Sequence, residues 1–181
     1  MLRLSYSLLN TWKRGDKQGT LNQYLGIQMI PTKQMELGTK FDKYVDDFVT
    51  KNKQLPKEFG GDNLDNPVCQ QTIIVNGYKD EFDLKGKLDI GMPKEFIEVK
   101  CSASMDSAEY SDTGQMDFYF LLGEMSGQLF EKGWLYRFDP THRTYDTSLV
   151  WYSKRRVDQA RKMIDQYGPE IKNYFIQQGV L

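Results

Sequence analysis

Cysteine and histidine are scarce in this sequence, and their scarcity excludes several kinds of metal site. The 181 residues include two cysteines, Cys69 and Cys101, and a single histidine, His142. A four-cysteine zinc or iron–sulfur site needs more thiols than this, and a site built on several imidazoles needs more histidines. We therefore predict that the chain holds no iron–sulfur cluster, and we expect His142 to lie in a surface turn.

The sequence also lacks long apolar runs. No apolar stretch approaches the ~20 residues that a helix needs to cross a bilayer. The N-terminus has no apolar core of the kind found in a signal peptide. We therefore expect a cytoplasmic protein with no membrane partner.

Net charge is small as well, at −1, and this value alone does not indicate a nucleic-acid binder. The charges are unevenly distributed, however. Residues 61–112 have 11 Asp and Glu against 5 Lys and Arg, whereas residues 1–60 have 10 Lys and Arg against 6 Asp and Glu. An acidic pocket beside a basic surface is what a metal-dependent enzyme acting on phosphodiesters needs.

The residues that are present predict one α/β domain over residues 1–181. Hydrophobic residues make up 39% of the chain, enough for a sizeable core at this length. Turns are predicted at Asn76-Gly77 and Gly91-Met92-Pro93, a loop at 102–112, and a kink or break at Gly168-Pro169. The predicted order is α-α-β-β-β-α-β-β-α, with helices at about 5–12, 32–53, 115–124 and 154–178 and strands at about 69–75, 84–90, 96–101, 127–138 and 145–152.

The stretch from residue 84 to residue 100 is the strongest candidate for a functional site. It predicts two strands, and alternation places Glu98 and Lys100 on one face of the second strand. If the strands pair antiparallel, Asp89 lies near the same face. Two carboxylates that share a site repel each other unless a cation lies between them, and oxygen ligands suit Mg²⁺ or Mn²⁺. The alternative is a solvated sheet face, where alternating charged residues usually lie.

Two acidic residues of the second predicted helix extend this hypothesis. Asp42 and Asp46 lie four residues apart, so they share a face of the helix near its apolar stripe. Solvation of the helix surface is the alternative role for Asp42. Gly38 weakens the same helix by ~1 kcal/mol relative to alanine, and a close approach by other backbone is one reason to tolerate it.

Gln115 and Tyr119 begin the helix that follows the proposed site. They are one turn apart, so both side chains point toward the sheet in the predicted arrangement. The alternatives are core packing for Tyr119 and a role near the helix cap for Gln115.

Taken in order, these motifs resemble the PD-(D/E)XK nuclease superfamily, in its RecB-like branch that includes CRISPR-associated exonucleases. Asp89-x8-Glu98-Val99-Lys100 resembles the superfamily signature, and Gly86-Lys87-Leu88-Asp89 resembles the Gly-Arg-Ile-Asp form of its first half. Three further motifs follow the same order: a Ser-x-Ser helix at 5–12, a Leu-Gly-Thr-x-x-His motif at 37–42 and a Gln…Tyr motif at 115–119. The resemblance spans residues 5 to 119.

The resemblance implies a restriction-endonuclease-like fold, with a central mixed β-sheet flanked by helices. It implies metal-dependent hydrolysis of DNA phosphodiester bonds, expected of an exonuclease in DNA recombination or repair, with an endonuclease as the alternative. Asp89 and Glu98, with Asp42 and the Val99 carbonyl, would hold one or two Mg²⁺ or Mn²⁺ ions.

By the same resemblance, Lys100 would orient or activate the attacking water or stabilise the transition state, and Gln115 and Tyr119 would position the substrate. Trp12 and Tyr110 are candidates for stacking on bases, with core packing as the alternative for Trp12. The predicted partners are single- or double-stranded DNA ends and a recombination protein. The candidates for phosphate contacts, which would make binding weaken with salt, are Lys13, Arg14, Lys85, Lys87, Lys154, Arg155 and Arg156.

The chain departs from the family pattern at three positions. Asp42 stands where the family has histidine, so a carboxylate would replace an imidazole ligand. Gly15 stands where some branches have the first iron–sulfur cysteine, and Cys101 replaces a common threonine for no physical reason that we can give. There is no helicase domain, so we expect a stand-alone nuclease module. The rival interpretation is a catalytically inactive module that binds DNA or protein on the same fold.

Overall fold

The structure, a computed structural model, describes residues 1–28, 30–101 and 114–181. The strands are β1 (Leu2–Leu4), β2 (Val68–Tyr78), β3 (Phe82–Gly91), β4 (Glu95–Cys101), β5 (Lys132–Asp139) and β6 (Thr144–Trp151). The helices are α1 (Tyr6–Lys13), α2 (Lys17–Tyr24), α3 (Lys33–Asn52), α4 (Gly114–Ser126) and α5 (Lys154–Gln177), with a short 3₁₀ helix at Lys57–Phe59. None of these helices is long and apolar enough to cross a membrane.

The six strands form one mixed sheet in the order β1-β3-β4-β5-β6, with β2 paired to β3. β1 pairs with β3 in parallel, and β4 pairs with β5 in parallel. The other three pairings are antiparallel: β2 with β3, β3 with β4, and β5 with β6. The predicted meander of β2, β3 and β4 is therefore confirmed, as is the central mixed sheet.

Helices cover both faces of the sheet and enclose two hydrophobic cores. The larger core joins α1, α4 and α5 to one face, with Leu84, Phe118 and Ile164 among its fully buried members. The smaller core joins α3 and the 3₁₀ helix to the other face, with Val49 and Ile97 among its members. β4 lies between the two cores because successive side chains of a strand point to opposite faces.

Two elements at the N-terminus were not predicted. β1 is only three residues long, too short to show strand periodicity, and its position is set by pairing with Phe82–Leu84 of β3. α2 is also absent from the predicted order, and the side chain of Asp16 caps it by accepting a hydrogen bond from the Gly19 N–H at 2.7 Å.

The turn predicted at Asn76-Gly77 is wrong. β2 continues through both residues to Tyr78, and the chain reverses at Lys79 and Asp80, whose φ angles are 50° and 58°. Gly77, with φ of 71°, lies at a register shift between Val75 and Tyr78. The positive φ of Gly77 allows a β-bulge at this position, and bulges are a common reason for a glycine within a strand.

Three other predictions about elements are corrected. α5 runs as one helix through Pro169, so the predicted break is wrong, while the alternative of a kink stays a prediction. β5 begins at Lys132 rather than near residue 127. A Cβ at Gly38 would meet no atom of the described residues within 4 Å, so no backbone in that part of the chain approaches this glycine. The loop predicted at 102–112 and the candidate Tyr110 lie outside the described residues.

Candidate active site

The candidate site lies in a fork between β3 and β4. The two strands pair only at Ile90 with Ile97 and at Gly91 with Phe96, and beyond these positions no pairing continues. Asp89 occupies the gap, where its Oδ2 atom accepts a hydrogen bond from the Val99 N–H at 2.8 Å. The carboxylate thus replaces a backbone carbonyl as the acceptor and lies beside β4, as the sequence predicted.

Glu98 and Lys100 project together from β4, as strand alternation predicted. The Lys100 Nζ atom donates a hydrogen bond to Oε1 of Glu98. Glu98 is only 2% exposed, and burial, followed by the charge of Asp89, raises its pKa to about 7. Its second oxygen, Oε2, is buried and has no hydrogen-bond partner among the residues that the structure describes. An unpaired buried carboxylate oxygen is costly, so this atom favours a ligand at the site.

The pKa of Lys100 reflects a competition between burial and charge. Burial lowers it, but the carboxylates of Glu98 and Asp89 outweigh burial, and the net effect is a raised pKa. The ammonium group therefore stays protonated at neutral pH.

α4 contributes the predicted pair, Gln115 and Tyr119. Gln115 Nε2 lies 2.7 Å from Oε1 of Glu98 and 2.7 Å from the hydroxyl oxygen of Tyr119, and donates a hydrogen bond to each. The Tyr119 hydroxyl donates in turn to the backbone carbonyl of Lys87 at 2.7 Å. A continuous hydrogen-bonded chain therefore ties α4 to both strands of the fork.

α3 brings Asp42 to the same site. Burial raises the pKa of Asp42 to about 6, and the negative charge of Asp89 is the second cause, while Lys100 opposes both. Asp46, one turn along α3, also has a raised pKa because of burial, and its charge raises the pKa of Asp89. The sequence placed Asp46 on this face of the helix without assigning it to the site.

These carboxylates fit a hard divalent cation by their chemistry. Asp42, Asp89 and Glu98 each have a raised pKa, and the charge of Asp89 contributes to the shift at both other residues. A cation would relieve this repulsion and give Oε2 of Glu98 a partner. As placed, no three carboxylate, imidazole or thiol side chains in the described part of the chain are grouped closely enough to hold a metal. A site with three side-chain ligands would require the acidic side chains to draw together, whereas Mg²⁺ is also held by one or two carboxylates with water as the other ligands.

A cavity of about 570 Å³ opens over Lys100. Lys85 and Lys87 of β3 line one side, and Gln115 and Tyr119 line another. Apart from Gly86, the rest of the lining comes from α1 and the residue before it: Ser5, Tyr6, Ser7, Asn10 and Thr11. The sequence placed these hydroxyl and amide groups only in a Ser-x-Ser helix motif and assigned them no role in the site.

The other basic candidates do not line this cavity. Lys154 is paired with Glu124 at 3.3 Å, and Arg156 is paired with Asp117 at 2.8 Å. The exposed side chains of Arg14 and Arg155 lie outside the lining, while Lys13 lines a separate cavity of about 430 Å³ between α1, α4 and α5.

Trp12 packs in the core, which was the alternative to base stacking. It is buried, its indole N–H donates to Glu170 at 2.8 Å, and its ring lies 5.4 Å from that of Tyr174. His142 lies in the turn between β5 and β6, as predicted, with Nδ1 2.7 Å from Oδ2 of Asp139.

No protein-family model matches this chain, and no curated protein matches it. Several solved structures do match it. One is a protein from Eubacterium rectale that is named as a candidate exonuclease. It matches with a TM-score of 0.62 and 14% identity, and the match covers 99% of this chain and 82% of that one. An alkaline exonuclease from Laribacter hongkongensis has a TM-score of 0.56 and 10% identity, over 98% and 93% of the chains.

A third solved structure, a phage-related exonuclease from Haemophilus somnus, has a TM-score of 0.56 and 13% identity, over 90% of this chain and 83% of that one. The Laribacter enzyme has also been solved in complex with dAMP, with a TM-score of 0.55 and 12% identity to this chain. At such low identity the likeness defines the fold. The predicted fold class, a central mixed sheet flanked by helices, is confirmed.

Proposed function

We propose that this protein is a metal-dependent deoxyribonuclease that hydrolyses DNA phosphodiester bonds from an end. The convergence of Asp89, Glu98 and Lys100 at the fork between β3 and β4 carries the proposal. The fold shared with structures named as exonucleases supports the reaction class and the exonuclease mode. A role in DNA recombination or repair, with a recombination protein as partner, rests on the sequence resemblance.

The metal would be Mg²⁺ or Mn²⁺, held by Asp89 and Glu98 with Asp42 and the Val99 carbonyl. When bound, such an ion lowers the pKa of a coordinated water and neutralises charge on the phosphate oxygens. The acidic residues of the chain provide the oxygen ligands that these ions prefer.

Lys100 acts as a hydrogen-bond donor in this proposal. Its raised pKa keeps it protonated at neutral pH, so it is a poor base for removing a proton from water. A protonated ammonium group orients the attacking water or stabilises the charge that develops on the phosphate in the transition state.

Gln115 and Tyr119 are positioning residues that act through Glu98 and β3. Gln115 fixes one oxygen of Glu98, and Tyr119 fixes the backbone of Lys87, whose side chain lines the cavity. The lysines and hydroxyl groups around the cavity would hold the phosphates of the strand that is cut.

A catalytically inactive binding module is the second candidate. It is favoured by two observations: Oε1 of Glu98 is bound by both Lys100 and Gln115, and the described carboxylates do not form a metal cluster as placed. In this case the cavity would bind DNA without cutting it.

One experiment separates the two candidates. Wild-type protein is incubated with end-labelled single-stranded DNA, end-labelled double-stranded DNA and closed circular DNA, with and without Mg²⁺ or Mn²⁺. We expect metal-dependent loss of linear DNA only, abolished in Asp89→Asn and Lys100→Ala. Lys94→Ala, at an exposed lysine paired with Glu131, is the matched control and should cut normally.

Cutting of circular DNA would assign an endonuclease instead. If wild type leaves every substrate intact and still retains DNA in a binding assay, the inactive module is the correct interpretation. Calorimetry with Mn²⁺ adds a readout other than activity, because a metal site requires binding to wild type that is weakened in Asp89→Asn.

A further inference from the structure

β6 forms an unprotected edge of the sheet. Among the described strands it pairs only with β5, and its eight residues pair in one unbroken register. It has no lysine and no proline, and its single charged residue, Asp146, is bound by Arg137 at 2.6 Å. Free edges are usually blocked by such residues or by bulges, because their unpaired N–H and C=O groups recruit another strand.

The same strand exposes a row of large apolar side chains. Tyr145, Leu149 and Trp151 are 44%, 38% and 60% exposed. They lie on one face of the sheet because they alternate along β6, opposite Phe138, Trp134 and Lys132 of β5. An exposed apolar row on a free edge indicates an interaction surface.

A cavity of about 310 Å³ lies beside this row, on the face of the sheet that carries Ile97. We call it the aromatic pocket, because its walls include the rings of Phe59, Trp134, Tyr136 and Tyr145. The ring of Phe59 lies 5.4 Å from that of Tyr136 and 5.9 Å from that of Tyr145, centre to centre. Tyr145 therefore belongs both to the exposed row and to the pocket.

The sequence of β6 is complementary to itself. If two copies of the strand pair antiparallel about Ser148, Tyr145 of each copy lies opposite Trp151 of the other. Asp146 then lies opposite Val150, so no like charges face each other. Aromatic pairs directly opposite across antiparallel strands stabilise a sheet, and a two-fold axis brings the same patch of both copies together.

We propose that two copies of this chain associate through β6, centred on Ser148, to form one continuous sheet. In this arrangement Trp151 of each copy enters the aromatic pocket of the other, next to Tyr145. The interface would cover the free edge, the exposed row and the pocket at once.

The first test is the molecular mass in solution, measured by analytical ultracentrifugation from low micromolar concentration upward. Wild type is expected to sediment as a dimer, and Trp151→Glu to weaken association by at least about tenfold, since one aromatic contact of 1.4 kcal/mol has that effect. The new glutamate would lie opposite Lys132 within its own sheet, so the fold is retained. Leu129→Glu is the matched control, at an apolar side chain 63% exposed but outside β6, and should not change the mass.

Three results would overturn the proposal at this stage. A wild type that stays monomeric at every concentration would do so, and so would a Trp151→Glu variant that associates as strongly as wild type. A trimer or larger species is also incompatible with it, because a two-fold edge pairing closes at two copies.

The second test fixes the register by oxidative cross-linking of Ser148→Cys. Residues directly opposite in antiparallel strands have Cα atoms about 4.5 to 5.5 Å apart, within the range of a disulfide. We expect a covalent dimer from Ser148→Cys and none from Thr147→Cys. Wild type, with its half-buried Cys69 and Cys101, controls for background cross-linking. Cross-linking at position 147 alone, or at neither position, would refute the proposed pairing.

Discussion

Glu98 is an ionisable residue whose side chain is almost completely buried. It is 2% exposed, and burial and the nearby Asp89 raise its pKa from 4.5 to about 7. A group whose pKa is higher in the folded than in the unfolded state stabilises the fold at low pH. That contribution is complete below the unfolded pKa and is lost as the pH rises through the folded pKa. The relevant window for Glu98 is therefore from about pH 4.5 to about pH 7.

Replacing Glu98 with glutamine should remove this pH dependence. Relative to Glu98→Gln, the metal-free wild type is expected to lose about 3 kcal/mol of unfolding free energy between pH 4.5 and pH 8. Urea denaturation at several pH values measures the difference. Glu131→Gln, at a surface glutamate, is the control. An identical pH profile for Glu98→Gln and wild type would show that the carboxyl group titrates normally.

The hydroxyl group of Tyr119 allows a second prediction about a single group, because its hydrogen bonds connect residues of the site. Tyr119→Phe keeps the packed ring and removes the hydroxyl that joins Gln115 to the Lys87 carbonyl. We expect a loss of about 1 kcal/mol of stability and a fall in kcat of roughly tenfold with KM little changed, because the hydroxyl positions groups of the site. Tyr152→Phe removes a hydroxyl bonded to Glu124 at 2.9 Å, outside the site, and should leave kcat unchanged.

At the scale of elements, the site depends on how closely α4 packs against β3. Gly86 makes this approach possible: a Cβ there would collide with Leu122 and would lie 3.1 Å from the ring of Tyr119. The glycine of the Gly-Lys-Leu-Asp motif therefore has a packing role, and it holds Tyr119 within reach of β3.

Substituting alanine at two glycines should give opposite results. Gly86→Ala is expected to destabilise the fold by about 1 to 3 kcal/mol through overpacking, and to lower activity by displacing Tyr119. Gly38→Ala, among exposed residues of α3 and with no described atom within 4 Å of the new methyl group, should stabilise the fold by up to about 1 kcal/mol. Chemical denaturation of both variants measures this; equal effects would contradict the packing argument.

Elements with strong local signals were predictable, and those fixed by distant contacts were not. α3 was predicted to within a residue at each end, because Thr32 caps it and its apolar residues recur at helical spacing. Alternation along β4 was sufficient to place Glu98 and Lys100 together. By contrast, β1 is defined only by its pairing with β3. The ion pairs of Lys154 and Arg156 join residues more than 25 positions apart, which no local pattern shows.

At the scale of the whole molecule, the basic residues divide into two groups. Lys85 and Lys87 line the cavity over Lys100 and make no ion pair among the described residues, whereas Lys154 is paired with Glu124. A net charge of −1 therefore hides a local basic surface at the site.

This division predicts how DNA binding responds to salt. Each phosphate contact that is lost should reduce the slope of log K against log[salt] by roughly 0.7 to 0.9. We expect that reduction in Lys85→Ala and in Lys87→Ala, and an unchanged slope in Lys154→Ala. Fluorescence anisotropy with a labelled single strand, in Ca²⁺ rather than Mg²⁺ to limit cutting, measures it. A smaller slope in Lys154→Ala alone would place the DNA elsewhere.

At the fork between β3 and β4, Asp89 has two roles, and an Asp89→Ala substitution would remove both of them. Its carboxylate is a proposed metal ligand, and it is also the acceptor that fastens the Val99 N–H where the strands separate. Loss of activity in Asp89→Ala would therefore have two explanations: a folded enzyme that does not bind metal, or a sheet in which β3 and β4 have lost contact at this point. Asparagine keeps an oxygen that can accept the hydrogen bond from the Val99 N–H but removes the negative charge. The Asp89→Asn variant therefore separates the proposed metal-binding role of the residue from its structural role.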